Sequence, residues 1–176
     1  MKIIIDTEAK TCKFEDEPVM NNVNIADEFE KHIGATEYNG IVADIQKWYY
    51  GSLVKASWCA TSLSYFANKI GKLNSIGGKN ENVCMMMNSC KKAASQGLGT
   101  FFDKSNIPAV LEKGDLLFFL WNGTVMTTTS SKHVGVSSCN QSSTGATVGC
   151  LGGNQDDMIN IKAYPTAQLY AVYRIK

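Results

Sequence analysis

Imidazole is scarce in this chain: among 176 residues only His32 and His133 carry it. The six cysteines (Cys12, Cys59, Cys84, Cys90, Cys139, Cys150) include no Cys-x-x-Cys pair. Together these absences remove the ligand spacing of a zinc site, and neither a metal nor another cofactor is expected. Neither sign of charge dominates, since 17 Lys and Arg oppose 16 Asp and Glu for a net charge of +1. A nucleic-acid partner, which calls for a basic face, is therefore not expected. No apolar run approaches the roughly 20 residues that span a bilayer, which argues against membrane insertion. A secretion signal is also lacking: the apolar stretch in Met1-Lys2-Ile3-Ile4-Ile5-Asp6 is too short and reads better as a first strand. The expectation is a soluble protein made in a reducing cytoplasm, where most cysteines are small buried apolar groups rather than three disulfides.

What remains is an ordinary globular composition. Apolar residues make up 44% and charged residues 19%, which excludes disorder, and the length suits one domain over 1–176, expected to act as a monomer. Residues 2–14 read as two short strands joined at Thr7-Glu8-Ala9-Lys10, a hairpin extension within 1–20. Ile25, Phe29 and Ile33 recur at four-residue steps and predict a helix over 24–33, with Gly34 just past its end. Further helices are predicted from Tyr38 or Ile41 to Tyr50, over 57–70 and over 82–94, the last with Met85, Met86 and Met87 as core and surface near its middle. After Pro108 the character changes. Lys113-Gly114-Asp115 is a turn, and Leu116-Leu117-Phe118-Phe119-Leu120-Trp121 is a buried strand. Short strands are predicted over 133–138, 146–151, 158–164 and 169–175. Helices first and an antiparallel sheet second make an α+β pattern.

The chemistry concentrates on Cys59, in Ala56-Ser57-Trp58-Cys59-Ala60 at the start of the third helix. A thiol at a helix N-terminus feels the positive end of the helix dipole, which favours the nucleophilic thiolate. The same turn exposes backbone N–H groups able to hold an oxyanion. His133 opens the strand His133-Val134-Gly135-Val136, and Asn154 closes the turn Leu151-Gly152-Gly153-Asn154-Gln155. Cysteine, histidine, then a polar residue that orients the histidine is the order of papain-like thiol hydrolases. If His133 starts a central strand, imidazole and thiol meet across the helix–sheet seam, with Asn154 on the outer imidazole nitrogen.

These stretches, with Gly34-Ala35-Thr36-Glu37-Tyr38-Asn39-Gly40, the Lys113 to Phe119 run and the Tyr164-Pro165 turn, resemble a phage-type cell-wall lysin of the papain-like NlpC/CHAP superfamily. The resemblance covers roughly residues 30–176 and implies a papain-like core. It implies Cys59 as nucleophile, His133 as general base and acid, and Asn154 as orienting partner, with no cofactor. Many CHAP members carry glutamate two residues before this asparagine, where this chain has Gly152, so the orienting role falls on Asn154. The implied activity is cleavage of an amide bond in bacterial peptidoglycan, by an endolysin that waits in the host cytoplasm until it is admitted to the wall.

Trp58, Trp121 and Glu37 are candidate substrate-binding residues: the two indoles as stacking surfaces, Glu37 from its Gly-x-x-Glu-x-x-Gly stretch. Core packing is the competing reading for both tryptophans. Asp156-Asp157 resembles half of a calcium loop, but the spaced ligands and distal glutamate are missing. Two alternatives stand beside the hydrolase: a non-catalytic wall-binding or virion module of the same fold, and an antibacterial toxin amidase.

Overall fold

Caps and glycines set the helix boundaries in the computed structural model, which describes residues 2–6, 11–15 and 23–176. Asn24 caps α1 (Ile25–Glu30) by accepting from the Ala26 N–H at 2.9 Å, and Asp27 returns a bond to the Asn24 N–H, forming a capping box. This helix is shorter than its apolar spacing suggests. The chain leaves it in a turn that ends at Gly34, whose φ of 90° is the left-handed geometry glycine tolerates. α2 (Gly40–Tyr50) stops at left-handed Gly51. α3 (Cys59–Lys69) closes with the Lys72 N–H donating to the Ala67 carbonyl at 2.7 Å around left-handed Gly71. α4 (Val83–Ser95) is capped by the Asn82 side chain.

The strands are β1 (Lys2–Asp6), β2 (Thr11–Glu15), β3 (Gly99–Asp103), β4 (Val110–Leu111), β5 (Leu116–Leu120), β6 (Lys132–Ser137), β7 (Gln141–Ser142), β8 (Thr147–Gly152), β9 (Asn160–Pro165) and β10 (Leu169–Ile175). β1 and β2 pair as the expected antiparallel hairpin. The Thr7–Lys10 connection and residues 16–22 lie outside the described residues. Six strands form one antiparallel sheet in the order β3-β10-β5-β6-β8-β9, while β4 and β7 form a two-residue ladder. The α+β expectation holds. β3, β4 and β7 are additions with no alternating apolar signal of their own.

The sheet has two covered faces. Leu116, Phe118, Leu120, Val134, Val136, Leu151, Ala171 and Tyr173 pack toward the helices, where Phe29, Trp58, Leu63 and Phe66 meet them. Leu117, Phe119, Val148, Cys150, Leu169 and Val172 form a second cluster on the other face, with Leu111 of β4. β5 is accordingly buried at all five positions. α3 is surrounded rather than merely one-faced: every residue from Cys59 to Ala67 is buried. Its small hydroxyl residues fit this crowding, with the Ser62 Oγ donating back to the Cys59 carbonyl at 2.8 Å and the Ser64 Oγ to the Asn80 carbonyl at 3.1 Å.

Arg174 on β10 holds the entry to β5 by donating to both oxygens of the buried Asp115 carboxylate, at 2.8 and 2.7 Å. Asp115 also accepts from the Glu112 N–H at 2.8 Å, so the Lys113-Gly114-Asp115 turn is fixed from both sides. No helix among the described residues is long and apolar enough to cross a membrane.

Candidate active site

Trp58 is the N-cap of α3 and supplies no side-chain cap bond, so the first-turn N–H groups are left for another acceptor. They lie beside the Cys59 thiol. The N–H groups of Val134, Ala60 and Cys59 itself all favour its thiolate, but burial outweighs them and pushes the thiol above its ordinary pKa. Cys59 is 6% exposed and rests protonated at neutral pH. The Tyr50 hydroxyl, 3.5 Å from Thr61 Oγ1, lies close enough to feel the Cys59 charge, and so does the Lys132 ammonium. Neither residue stands out in the sequence, because Tyr50 only ends an aromatic run and Lys132 only precedes the histidine.

His133 sits on β6 beside Val134, and the cross-strand register decides where its ring goes. Phe118 pairs with Val134 and Phe119 with His133. Phe118 and Val134 face the helices, whereas Phe119 belongs to the second cluster, so alternation sends the imidazole to the far face of the sheet. There its ring centroid lies 5.6 Å from that of Tyr164, which packs in turn on Phe119 and Trp121. Among the described residues His133 Nε2 has no hydrogen-bond partner, the Cys59 thiol included. Burial, with a smaller push from the Lys162 ammonium, lowers the His133 pKa to about 4. The resting pair is a neutral thiol and a neutral imidazole.

The two groups nevertheless border the same stretch of chain. The β6–β8 ladder runs through Val136–Leu151 and Ser137–Cys150. The Cys59 thiol lies by the Val134 N–H on the helix side. The imidazole lies beside Gly152 on the far side, since a Cβ there would stand 3.4 Å from His133 Nε2. Gly153 is required here because a Cβ on it would fall 2.5 Å from Ser62 Oγ and from the Trp58 ring. Gly153→Ala is expected to destabilise the fold by about 2 kcal/mol through overpacking against an immovable indole. Gly145→Ala, whose nearest obstacle is 3.7 Å away, is the matched control and is expected to be near neutral. Urea denaturation of both variants checks this, and equal midpoints would contradict it.

The other sequence candidates separate. Trp58 is fully buried, so it is a packing residue for the α3 tip and cannot stack on a ligand. Trp121 remains partly exposed, its ring centroid 5.9 Å from Phe119 and 5.0 Å from Tyr164. Glu37 is half-buried and engaged with the Tyr38 hydroxyl. Its backbone N–H donates to the Asp157 carbonyl at 2.9 Å, and Thr36 bridges to Met158, so the 34–38 segment is stitched to the loop after β8.

Asn154 stands in the left-handed region at φ 61° within that loop, and its amide makes no hydrogen bond to the imidazole. Tyr38, Asp156 and Asp157 share this backbone geometry, which marks the paired loops as locally constrained. The Asp156 carboxylate is committed to Lys162 Nζ at 2.6 Å. Among the described residues no group of three or more His, Cys, Asp or Glu side chains is placed to hold a metal ion. Two surface cavities, of about 270 Å³ beside Lys72 and Arg174 and about 290 Å³ beside Phe101 and Tyr170, do not include Cys59 or His133 in their linings.

Comparison with protein-family models, with curated proteins and with solved structures yields no match for this chain.

Proposed function

We propose that this chain is a papain-like cysteine hydrolase that cleaves an amide bond of bacterial peptidoglycan. The observation that carries the reading is the Cys59 thiol at the tip of α3, set by the Val134 N–H, next in the chain to the His133 imidazole. The wall substrate rests on the resemblance of the quoted motifs to NlpC/CHAP lysins. So does its use as an endolysin released from the host cytoplasm.

In this mechanism the Cys59 thiol gives its proton to the neutral His133 imidazole as sulfur attacks the scissile carbonyl. Because the thiol pKa is raised and the imidazole pKa lowered, the proton moves with the attack and not before it. The first-turn N–H groups of α3 receive the oxyanion. His133 then protonates the departing amine, leaving a thioester on Cys59. Water attacks the thioester as His133 takes its proton, releasing a carboxylic acid and the free thiol. Trp121, on the exposed rim of the His133 aromatic cluster, is the substrate-stacking candidate that keeps its standing.

The test is clearing of purified cell walls, with mass spectrometry of the released muropeptides to identify the bond that is cut. New amino termini or free stem peptides would support the reading. The non-catalytic wall-binding module draws on one specific observation, the lack of a hydrogen-bond partner at His133 Nε2. Walls that retain the protein in a pull-down without releasing soluble amines would favour that alternative.

A further inference from the structure

Four separate parts of the fold build the cavity of about 290 Å³ beside Phe101 and Tyr170. β3, at one end of the six-strand order, supplies Phe101 and Asp103, and the turn after it supplies Lys104. Lys91 comes from α4 and Thr124 from the loop after β5. The fourth part is an irregularity in β10. Leu169 pairs with Phe119 and Ala171 with Phe118, which are consecutive on β5, so Tyr170 is the extra residue of a bulge. Successive strand residues ordinarily point to opposite faces, yet Tyr170 and Ala171 both line this cavity. The bulge thus gives the cavity a second aromatic side chain besides Phe101, and both are half-buried. The polar groups around them are unequally committed. Asp103 Oδ1 accepts from the Ser105 N–H at 2.9 Å, the Ser105 Oγ at 2.6 Å and the Asn106 Nδ2 at 3.1 Å. All three donors fall on that one oxygen, leaving Oδ2 without a donor among the described residues. The Lys91 ammonium stands 5.1 Å from the centre of the Phe101 ring. Among the described residues neither it nor the Lys104 ammonium is in an ion pair, whereas Lys113, Lys162 and Arg174 all are.

We propose that this cavity binds an anionic sugar, its ring against Phe101 and Tyr170 and its carboxylate or phosphate held by Lys91 and Lys104. Aromatic walls suit the apolar face of a sugar ring, and Asp103 Oδ2 and the Thr124 hydroxyl suit its hydroxyl groups. Two ammoniums against one carboxylate leave the cavity positive, which selects an anion on that ring. A purely apolar ligand would leave the charged groups unpartnered, and an aliphatic anion would leave the rings unused. The inference deepens the peptidoglycan reading, on which its biological meaning rests, because acidic sugars are components of bacterial walls. The cavity includes neither Cys59 nor His133, so it offers a hold on the polymer apart from the bond that is cut.

The test is titration of the full chain, labelled with nitrogen-15, with N-acetylmuramic acid, N-acetylglucosamine 6-phosphate, neutral N-acetylglucosamine and N-acetylglutamate. The two acidic sugars separate carboxylate from phosphate. At least one of them should shift the amide signals of residues 100–105 and 169–171 with a roughly millimolar Kd. The neutral sugar should bind about tenfold more weakly, and N-acetylglutamate should leave these signals in place. Lys91→Ala combined with Lys104→Ala should weaken the acidic sugar by about tenfold and leave the neutral one unchanged. Tyr170→Leu should weaken both sugars. If that variant fails to fold, the exposed lysine pair still decides. Equal binding of acidic and neutral sugars, shifts confined to other residues, or binding unchanged without the two lysines overturns the site. So does N-acetylglutamate bound as tightly as the sugar, or a dimer whose contacts fall on these residues. Cys59→Ala should bind as the parent does. A protein that binds the acidic sugar but clears no wall removes the hydrolase reading and keeps this site, and one that clears walls without binding it does the reverse.

Discussion

Cys59→Ala is expected to abolish the clearing of cell walls, with a fall in rate of at least about a thousandfold, because the proposed mechanism forms its thioester on this sulfur. The protein itself survives the change. Alanine keeps the helical backbone, and losing one buried sulfur costs about 1 kcal/mol, so the melting temperature moves by no more than about 4 °C. The separation of these two readouts is the point of the experiment. A variant that melts like the parent and clears walls as fast as the parent would mean that the thiol is a packing residue. The neighbouring small residues offer no substitute nucleophile: the Ser62 hydroxyl is committed to the Cys59 carbonyl and lies on the second turn.

The second large effect is on stability in acid. His133 titrates near its ordinary value of 6.5 in the unfolded chain but at about 4 in the fold, because burial disfavours the imidazolium. Between these values the unfolded chain binds a proton that the folded chain refuses. Stability therefore falls as pH falls from about 6.5 to about 4, by roughly 3 kcal/mol in total, and is unaffected by this group above that window. His133→Phe, which fits the Phe119, Trp121 and Tyr164 cluster, removes the term. Urea denaturation at pH 7 and pH 4 should show the parent losing roughly 3 kcal/mol more than the variant. Asp27, whose pKa is lowered chiefly by its bond to Lys113, titrates below its usual 3.8 and acts in a more acidic range. Equal losses in parent and variant would place the imidazole in water rather than in the sheet.

Much of this architecture is legible from local signals. Asn24, Asn82, Gly51 and Gly71 announce helix ends because capping and left-handed geometry are properties of single residues. The placement of Cys59 at a helix tip and of His133 at a strand start follows from the same kind of signal. The facing of His133 does not. β5 is apolar at every position, so its sequence has no alternation from which to read which residues point to the helices. Only the pairing of Phe119 with His133 settles it, and pairing is a long-range property.

β3 escapes notice for a related reason: Gly99-Thr100-Phe101-Phe102-Asp103 is a strand because β10 pairs with it, not because its residues alternate. Gln155 is invisible in sequence because it reads as one more polar residue in a turn. It ties the turn to β8 and β9 through the three carbonyls that converge on its amide. Trp58 follows the core-packing reading of a tryptophan at a helix tip, since it is fully enclosed.

The most direct test of the thiol mechanism is intact-mass analysis of the protein mixed with soluble wall fragments and quenched in acid within the first turnover. The account requires a mass increase equal to an acyl group, mapped by peptide digestion to Cys59 and cleared by prolonged incubation with water. Fragments cut at the same rate with no adduct on Cys59, in the parent and in Cys59→Ala alike, would contradict it.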